Sequence, residues 1–158
     1  MTFPIRKTLF MIFLACPLFV LANPYTNSIT EEQKKSLVER LGEPIIRSYP
    51  ELKHLNGKEV KELIKKNPKT VLVDVRNANE RKISMIDGAI CKKDFEKRKA
   101  DLVKTPVIIY SSTGYRSAKF ARTLKIEGFQ VYNFIVSVLS WSHENVKFLK
   151  GKVEKKEI

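Results

Sequence analysis

The serine-rich segment 111–116 (SSTGYR) has the residue types and the position of a small anion-binding loop. It follows the apolar run 106–110 and precedes a helical pattern, so it joins a buried strand to the start of a helix. A glycine allows the backbone to curl, the helix start contributes partial positive charge, and an arginine contributes a full one. We expect the loop to surround Ser111 with N–H groups and to bind an anion there. The other residues expected in this site are Ser112, Thr113, Gly114, Tyr115, Arg116 and Ser117.

The same segment has a simpler interpretation, in which it only connects a strand to a helix and its serines cap that helix. Catalysis by Ser111 would need an adjacent general base. The two histidines of the chain, His54 and His143, both lie outside the loop. A serine hydrolase is therefore not expected.

Cys91 is the second candidate nucleophile, and it is one of only two cysteines. It follows a possible short strand at 89–90, so in a parallel sheet it would lie at the edge where such sheets place their sites. Lys92 and Lys93 add positive charge beside its sulfur. A lone cysteine is more often a small buried residue, and both interpretations stay open. Two cysteines also exclude a disulfide framework and a cysteine zinc cluster, so we expect no metal and no cofactor.

The composition indicates one folded domain with a substantial core. The chain is 43% hydrophobic, and its 30 basic and 17 acidic residues alternate with apolar ones rather than replacing them. Such interleaving argues against disorder. Much of the basic charge falls in 92–104 and 147–156, where a solvated helix face is favoured over weak binding to an anionic surface. No nucleic-acid-binding motif is present, so nucleic acid is not an expected partner.

The N-terminal segment 1–22 is typical of a signal peptide. Two basic residues precede the uncharged run 8–22, which is too short for a membrane-spanning helix. Ala22 ends a small-residue cleavage pattern, which predicts a mature chain beginning at Asn23 and a periplasmic or secreted protein. An uncleaved membrane anchor and a lipoprotein site at Cys16 are the alternatives.

The remaining patterns alternate helices with strands. Thr30 can cap a first helix that we expect to end at 42–44, and Asn56 can cap a second one. The runs 70–73 and 106–110 are nearly continuous and β-branched, as in strands covered on both faces. The other expected elements are a minimal strand at 89–90, a short basic helix at 95–103, a helix at 116–127 and a strand at 130–134. This order predicts an α/β fold with a small parallel β-sheet flanked by helices and an extra N-terminal helix.

Several motifs within about 55–141 occur in the order found in a known family. They are Asp74-Val75-Arg76 with Glu80, Gly88-Ala89-Ile90, the loop from Tyr110 to Ser117, and Gly128-Phe129. In these motifs the chain resembles the single-domain rhodaneses, also called thiosulfate sulfurtransferases, and an exported copy is similar to their periplasmic members. The resemblance implies a rhodanese-like fold. Together with the patterns described above, it divides the chain into a signal peptide (1–22), an N-terminal helical extension (23–50), a rhodanese-like domain (51–148) and a basic tail (149–158).

Asp74, Arg76 and Glu80 lie close to the loop in this arrangement. We expect them to form hydrogen bonds and an ion pair at the end of a strand rather than to catalyse a reaction.

The chain departs from the family pattern at the residue that matters most. Where the family carries its catalytic cysteine, this chain has Ser111. The family's Gly-His-Ile-Pro-Gly-Ala-Ile appears at 84–90 with its tail kept and its His and Pro lost. The closing Gly-Gly-x-x-x-Trp is reduced to Val136, Ser137 and Trp141. In the family, the thiolate takes sulfur from a donor such as thiosulfate, holds it as a persulfide and passes it on. A hydroxyl cannot form that sulfur–sulfur bond.

Two classes of function therefore remain. The leading hypothesis is an exported rhodanese-like protein without sulfurtransferase activity, whose loop still binds a small oxyanion, a sulfur compound or an acidic group of a partner. The alternative is an active thiosulfate-type sulfurtransferase that works through Cys91 or through a changed nucleophile. Ser111 is the sequence feature that separates them.

Overall fold

The structure, a computed structural model of the chain, describes residues 30–141 and 148–150. Its strands are β1 (Lys53–Leu55), β2 (Val71–Asp74), β3 (Ser84–Ile86), β4 (Ile90–Cys91), β5 (Val107–Tyr110), β6 (Val131–Phe134) and β7 (Phe148–Lys150). Its helices are α1 (Glu31–Ser48), α2 (Gly57–Lys66), α3 (Ala78–Ile83), α4 (Lys92–Lys97), α5 (Tyr115–Ile126) and α6 (Ser137–Trp141), with a 3₁₀ helix at Lys99–Leu102. The predicted signal peptide lies outside the described residues.

Five strands form one parallel sheet in the order β1, β6, β5, β2, β4. β3 and β7 form a separate antiparallel pair. At the end of β2, Asp74 pairs with Tyr110 of β5 on one side and with Cys91 of β4 on the other. The carboxyl ends of these three strands therefore meet at one edge of the sheet, immediately before the loop that begins at Ser111.

Apolar side chains cover both faces of this sheet. One face packs against α1, α4 and α5 through Val73, Ile109, Ile45, Phe95 and Leu124. The other face packs against α2 and α6 through Leu72, Ile108, Tyr110, Val60 and Trp141. Because successive side chains of a strand point to opposite faces, β5 needs apolar residues at every position. The predicted α/β fold, with a parallel sheet between helices and an extra N-terminal helix, is confirmed.

Helix α1 begins where the sequence predicts and ends later than it predicts. The side chains of Thr30 and Gln33 form a reciprocal capping box at its start. The expected end at 42–44 is wrong, because the helix continues through Pro44 to Ser48. A proline removes only one helical N–H, and burial of Ile45, which is 5% exposed, holds the last turn against the core.

The other elements agree with the sequence in position and differ in detail. Helix α2 has the predicted capping box between Asn56 and Glu59, and α5 fully buries the predicted alanines and leucine at 118, 121 and 124. The single helix expected at 95–103 is wrong, since the chain leaves the α conformation at Arg98 and continues as the 3₁₀ helix. That break allows residues on both sides of it to reach the same core.

The elements not predicted are all short. They are β1, β3, β7, α3 and α6, none longer than six residues. Strand β7 includes the first two residues of the segment 149–158 that the sequence assigns to a basic tail. Within the described residues, no helix has the length and apolar character needed to cross a membrane.

Candidate functional site

Ser111 is the first residue after β5, and its hydroxyl lies at the centre of a closed chain of hydrogen bonds. The residue is fully buried. Its Oγ accepts the N–H of Gly114 at 3.0 Å and lies 3.3 Å from Oγ of Ser117. Since Ser117 donates its own hydroxyl proton to the carbonyl of Gly114 at 2.9 Å, Ser111 must be the donor toward Ser117. The proton of Ser111 therefore points to another hydroxyl and not to a general base.

Gly114 gives the loop its curl. Its φ is +97°, a left-handed value, and a Cβ built there would lie 2.8 Å from the backbone nitrogen of Val136. Both the conformation and the close approach exclude a side chain. The turn places the backbone N–H of Gly114 within hydrogen-bond distance of Ser111 Oγ.

A second turn, at Val136 and Ser137, covers the loop from the interior. Both residues are fully buried, and their φ values of +51° and +38° lie in the left-handed region, which is strained for a β-branched valine. Ser137 Oγ accepts the N–H of Ser111 at 3.1 Å and donates to the carbonyl of Phe134 at 2.5 Å. The first N–H group of the loop, that of Ser111, therefore already has an acceptor in the Ser137 hydroxyl.

Arg116 is neutralised by a carboxylate that comes from helix α3. Its guanidinium donates to both oxygens of Glu80, at 2.8 and 2.6 Å. Ser112 Oγ donates to Glu80 at 2.7 Å and accepts from Arg116 at 3.0 Å. These contacts, chiefly the one from Arg116, lower the pKa of Glu80 from 4.5 to about 2. The full positive charge expected from Arg116 is therefore compensated in part by Glu80.

Asp74 and Arg76 form a separate ion pair that is closed to solvent. Arg76 Nη2 lies 2.7 Å from Asp74 Oδ2, and their side chains are 4% and 0% exposed. Burial alone would lower the pKa of Arg76, but the contacts with Asp74 raise it. Arg76 also donates to the carbonyl of Ser84 at 2.6 Å, which ties the end of β2 to β3. The pKa of Tyr110 is raised mainly by burial of its side chain, and the negative charge of Asp74 raises it further.

Some N–H groups of the loop are available for a ligand. Those of Ser112, Thr113, Tyr115 and Arg116 have no hydrogen-bond acceptor within residues 30–141 and 148–150. Thr113 and Tyr115 are exposed, and Ser112 is half-buried. These groups can bind water or an anion at the start of α5.

The motifs, the sheet order and the curled loop agree with what comparison with known proteins shows. A family model described as the rhodanese-like domain matches residues 56–151, more than half of the chain. The chain belongs to the rhodanese-like domain family. The rhodanese-like fold expected from the sequence is thereby confirmed.

Individual relatives of this rhodanese-like chain are distant. It is 30% identical over 100 residues to a tRNA uridine(34) hydroxylase of Protochlamydia amoebophila, an alignment that covers 56% of this chain and 31% of that protein. The chain thus matches about a third of that curated relative. Two solved structures, each 21% identical, show the same fold: a thiosulfate sulfurtransferase of Pseudomonas aeruginosa, with a TM-score of 0.59 over 73% of this chain and 23% of that one, and the homodimeric polysulfide-sulfur transferase of Wolinella succinogenes, with a TM-score of 0.55 over 77% and 95%.

Cys91 lies at the same edge of the rhodanese-like sheet but not in the loop. Strand β2 separates it from β5, which places it about 10 Å from the end of that strand at the usual spacing between strands. It is half-buried, and its Sγ lies 3.1 Å from Oδ2 of Asp94. It forms the N-cap of the six-residue helix α4 and is not surrounded by a curled backbone.

The structure brings together residues that sequence reasoning kept apart. The sequence groups Glu80 with Asp74 and Arg76, yet Glu80 binds Arg116, which is 36 positions further along the chain. The hydrogen bond between Ser137 and Ser111 has no signal in the sequence. Among the described residues, no group of His, Cys, Asp and Glu side chains is arranged to hold a metal ion.

Proposed function

We propose that this protein is an exported rhodanese-like protein that lacks sulfurtransferase activity and binds a small oxyanion at the loop 111–116. The observation that carries the proposal is the hydroxyl of Ser111, which is fully buried and bonded on both sides by Gly114 and Ser117. It occupies the centre of the loop, where the family places its reactive sulfur.

The hydroxyl of Ser111 is unsuited to sulfur transfer for two physical reasons. In the family reaction, a thiolate attacks the outer sulfur of thiosulfate, sulfite leaves, and the enzyme carries the sulfur as a persulfide until an acceptor removes it. A thiol starts near a pKa of about 8.5 and can be ionised by a loop of N–H groups, whereas an alcohol is far too weak an acid. Its oxygen also cannot hold sulfur in a disulfide-like bond.

Anion binding by the same loop does not need a nucleophile. The N–H groups of Tyr115 and Arg116 start a helix of twelve residues, and those of Ser112 and Thr113 lie just before it. The backbone carries partial positive charge at this end of a helix. The ion pair between Glu80 and Arg116 removes part of the attraction. Weak binding is therefore the expectation, with a dissociation constant in the millimolar range, about 4 kcal/mol.

Sulfur transfer through Cys91 is the second candidate function. Its support is the position of Cys91 at the carboxyl edge of the sheet and its partial exposure. Its Sγ, however, is engaged with Asp94, and it lacks the ring of N–H groups that stabilises a persulfide. We therefore rank it below the inactive protein.

The test is a thiosulfate to cyanide sulfurtransferase assay on the unmodified protein and on the Ser111→Cys variant. The unmodified protein should show only background turnover. The variant should show measurable turnover, because it places a thiol where Gly114 donates its N–H. A Ser112→Cys variant is the matched control, since it adds a thiol one residue away from that position, and it should stay at background.

One result would contradict the proposal, and a second would refine it. Robust turnover by the unmodified chain would refute the inactive interpretation, and loss of that turnover in Cys91→Ala would assign it to the second candidate. If Ser111→Cys folds, as judged by its circular dichroism melt, and has no activity, the positions 136–137 and the lost histidine also matter for catalysis.

A further inference from the structure

A basic cleft lies beside the loop, on the side of the sheet edge that carries β4. It has a volume of about 680 Å³, and Val75 and Arg76 line it from the end of β2. Helices α3 and α4 contribute its other lining residues, which are Arg81, Lys92, Lys93, Glu96 and Lys97. The sequence of 92–104 predicts a solvated basic face, and the fold adds to it an arginine from a different helix.

The charges that line the cleft are strongly unbalanced. Arg76 contributes little, because Asp74 pairs with it in the interior. The carboxylate of Glu96 lies 3.6 Å from Lys99, which also pairs with Glu127 at 2.5 Å, so Glu96 keeps part of its negative charge in the lining. Asp94 lies 3.3 Å from Lys97 and also attracts Lys93. The lining still keeps a net positive charge, because it holds four cations, Arg81, Lys92, Lys93 and Lys97.

Two of these cations are held in place before any ligand arrives. Arg81 Nη1 donates to the backbone carbonyl of Arg76. The ammonium of Lys92 lies 4.3 Å from the centre of the Phe120 ring, a cation–π contact that joins α4 to α5. Because these groups are already ordered, a ligand loses less entropy in binding them than it would at free surface lysines.

The helix that carries three of the cations is itself firmly anchored. Phe95, in the middle of α4, is fully buried. Its ring packs against those of Phe120 and Phe129 at 6.1 and 6.0 Å. The cleft is therefore a fixed feature of the fold and not a mobile tail.

We propose that this cleft binds an acidic peptide segment of a partner protein. The four cations lie on two helices, so an extended chain of carboxylates can contact them at several points. Val75, half-buried at the floor, and the methylene chains of the lysines offer apolar contact to side chains between those carboxylates.

Other anionic polymers fit the cleft less well. Its lining residues include no aromatic side chain, and stacking on aromatic rings provides much of the binding to single-stranded nucleic acid. A peptide that carries carboxylates and apolar side chains matches both the basic charge and the apolar part of the lining.

The experiment is a fluorescence anisotropy titration of the full chain with a fluorescein-labelled peptide of alternating glutamate and leucine. Binding should be saturable and should weaken as salt is added. The double variant Lys93→Glu/Lys97→Glu should lower the affinity about tenfold. The matched control is Lys58→Glu/Lys65→Glu on α2, which makes the same change in net charge. Both of these lysines are exposed, and α2 packs against the opposite face of the sheet. It should stay within about twofold of the unmodified protein.

Several outcomes would overturn the inference. Equal losses in the two double variants would mean that only net charge matters, and an unchanged affinity in the cleft variant or the absence of binding would remove the site. Tighter binding of single-stranded RNA or of phosphatidylglycerol vesicles that is lost in the cleft variant would assign the cleft to that ligand instead. The cleft does not depend on Ser111, so failure here leaves the proposed function untouched.

Discussion

At the loop, the pairing of Glu80 with Arg116 controls how much positive charge an anion would meet. Arg116 binds Glu80 through two short hydrogen bonds, and both side chains remain partly exposed. Removing the carboxylate frees the guanidinium. Glu80→Gln should therefore tighten sulfate binding about fivefold, or roughly 1 kcal/mol. Arg116→Ala should weaken it, and an NMR titration that follows the amides of 112–117 measures both effects.

The pKa of Glu80 adds a condition to that experiment. Because Arg116 holds it at about 2, the carboxylate stays ionised across neutral and mildly acidic conditions. Glu80 should therefore not become protonated and release Arg116 between about pH 7 and pH 4. For this reason we expect no rise in the sulfate affinity of the unmodified chain over that range. If sulfate shifts only amides outside 112–117, the loop does not bind anions and the proposed ligand is wrong.

At the scale of elements, helix α1 packs directly against the loop. Ile45 is 5% exposed, and its Cδ1 would lie 3.3 Å from a Cβ at Gly114. The ring of Tyr49 meets that of Tyr115 at 5.8 Å in an edge-on contact. The N-terminal extension is thus part of the environment of the loop, although it begins outside the matched family region.

Neighbouring isoleucines of α1 allow a matched test of this packing. Ile45→Ala should lower the free energy of unfolding by about 2–4 kcal/mol, because it leaves a cavity between α1 and the loop. Ile46→Ala should cost less than about 1 kcal/mol, since Ile46 is 43% exposed. Urea denaturation measures both values. Equal effects would show that α1 does not pack as described.

At the scale of the whole molecule, the proposal of export rests on the N-terminal segment 1–22. A positively charged start, an uncharged apolar run and a small-residue site predict removal of this segment. N-terminal sequencing of protein from the cell envelope fraction should therefore begin at Asn23. Intact Met1 on membrane-bound protein would instead support the uncleaved anchor.

Much of the fold could be predicted because its signals are local. Capping boxes at Thr30 and Asn56 involve residues three positions apart, and the β-branched run before Ser111 identifies a covered strand by itself. The elements that could not be predicted, such as β1, are too short for a periodic pattern to form. Their structure depends on pairing with β6, whose residues lie far away in sequence.

The candidate site divides in the same way. The sequence alone determined the fold class, the position of the loop, the need for Gly114 and the absence of a thiol at position 111, because each follows from a residue type at a fixed place. Only the tertiary structure decided that Glu80 neutralises Arg116, that Ser137 takes the N–H of Ser111, and that Arg81 joins the lysines of α4 in one cleft. Hydrogen bonds and charges act over a few ångströms in space, so their partners are set by how the sheet and helices pack and not by distance along the chain.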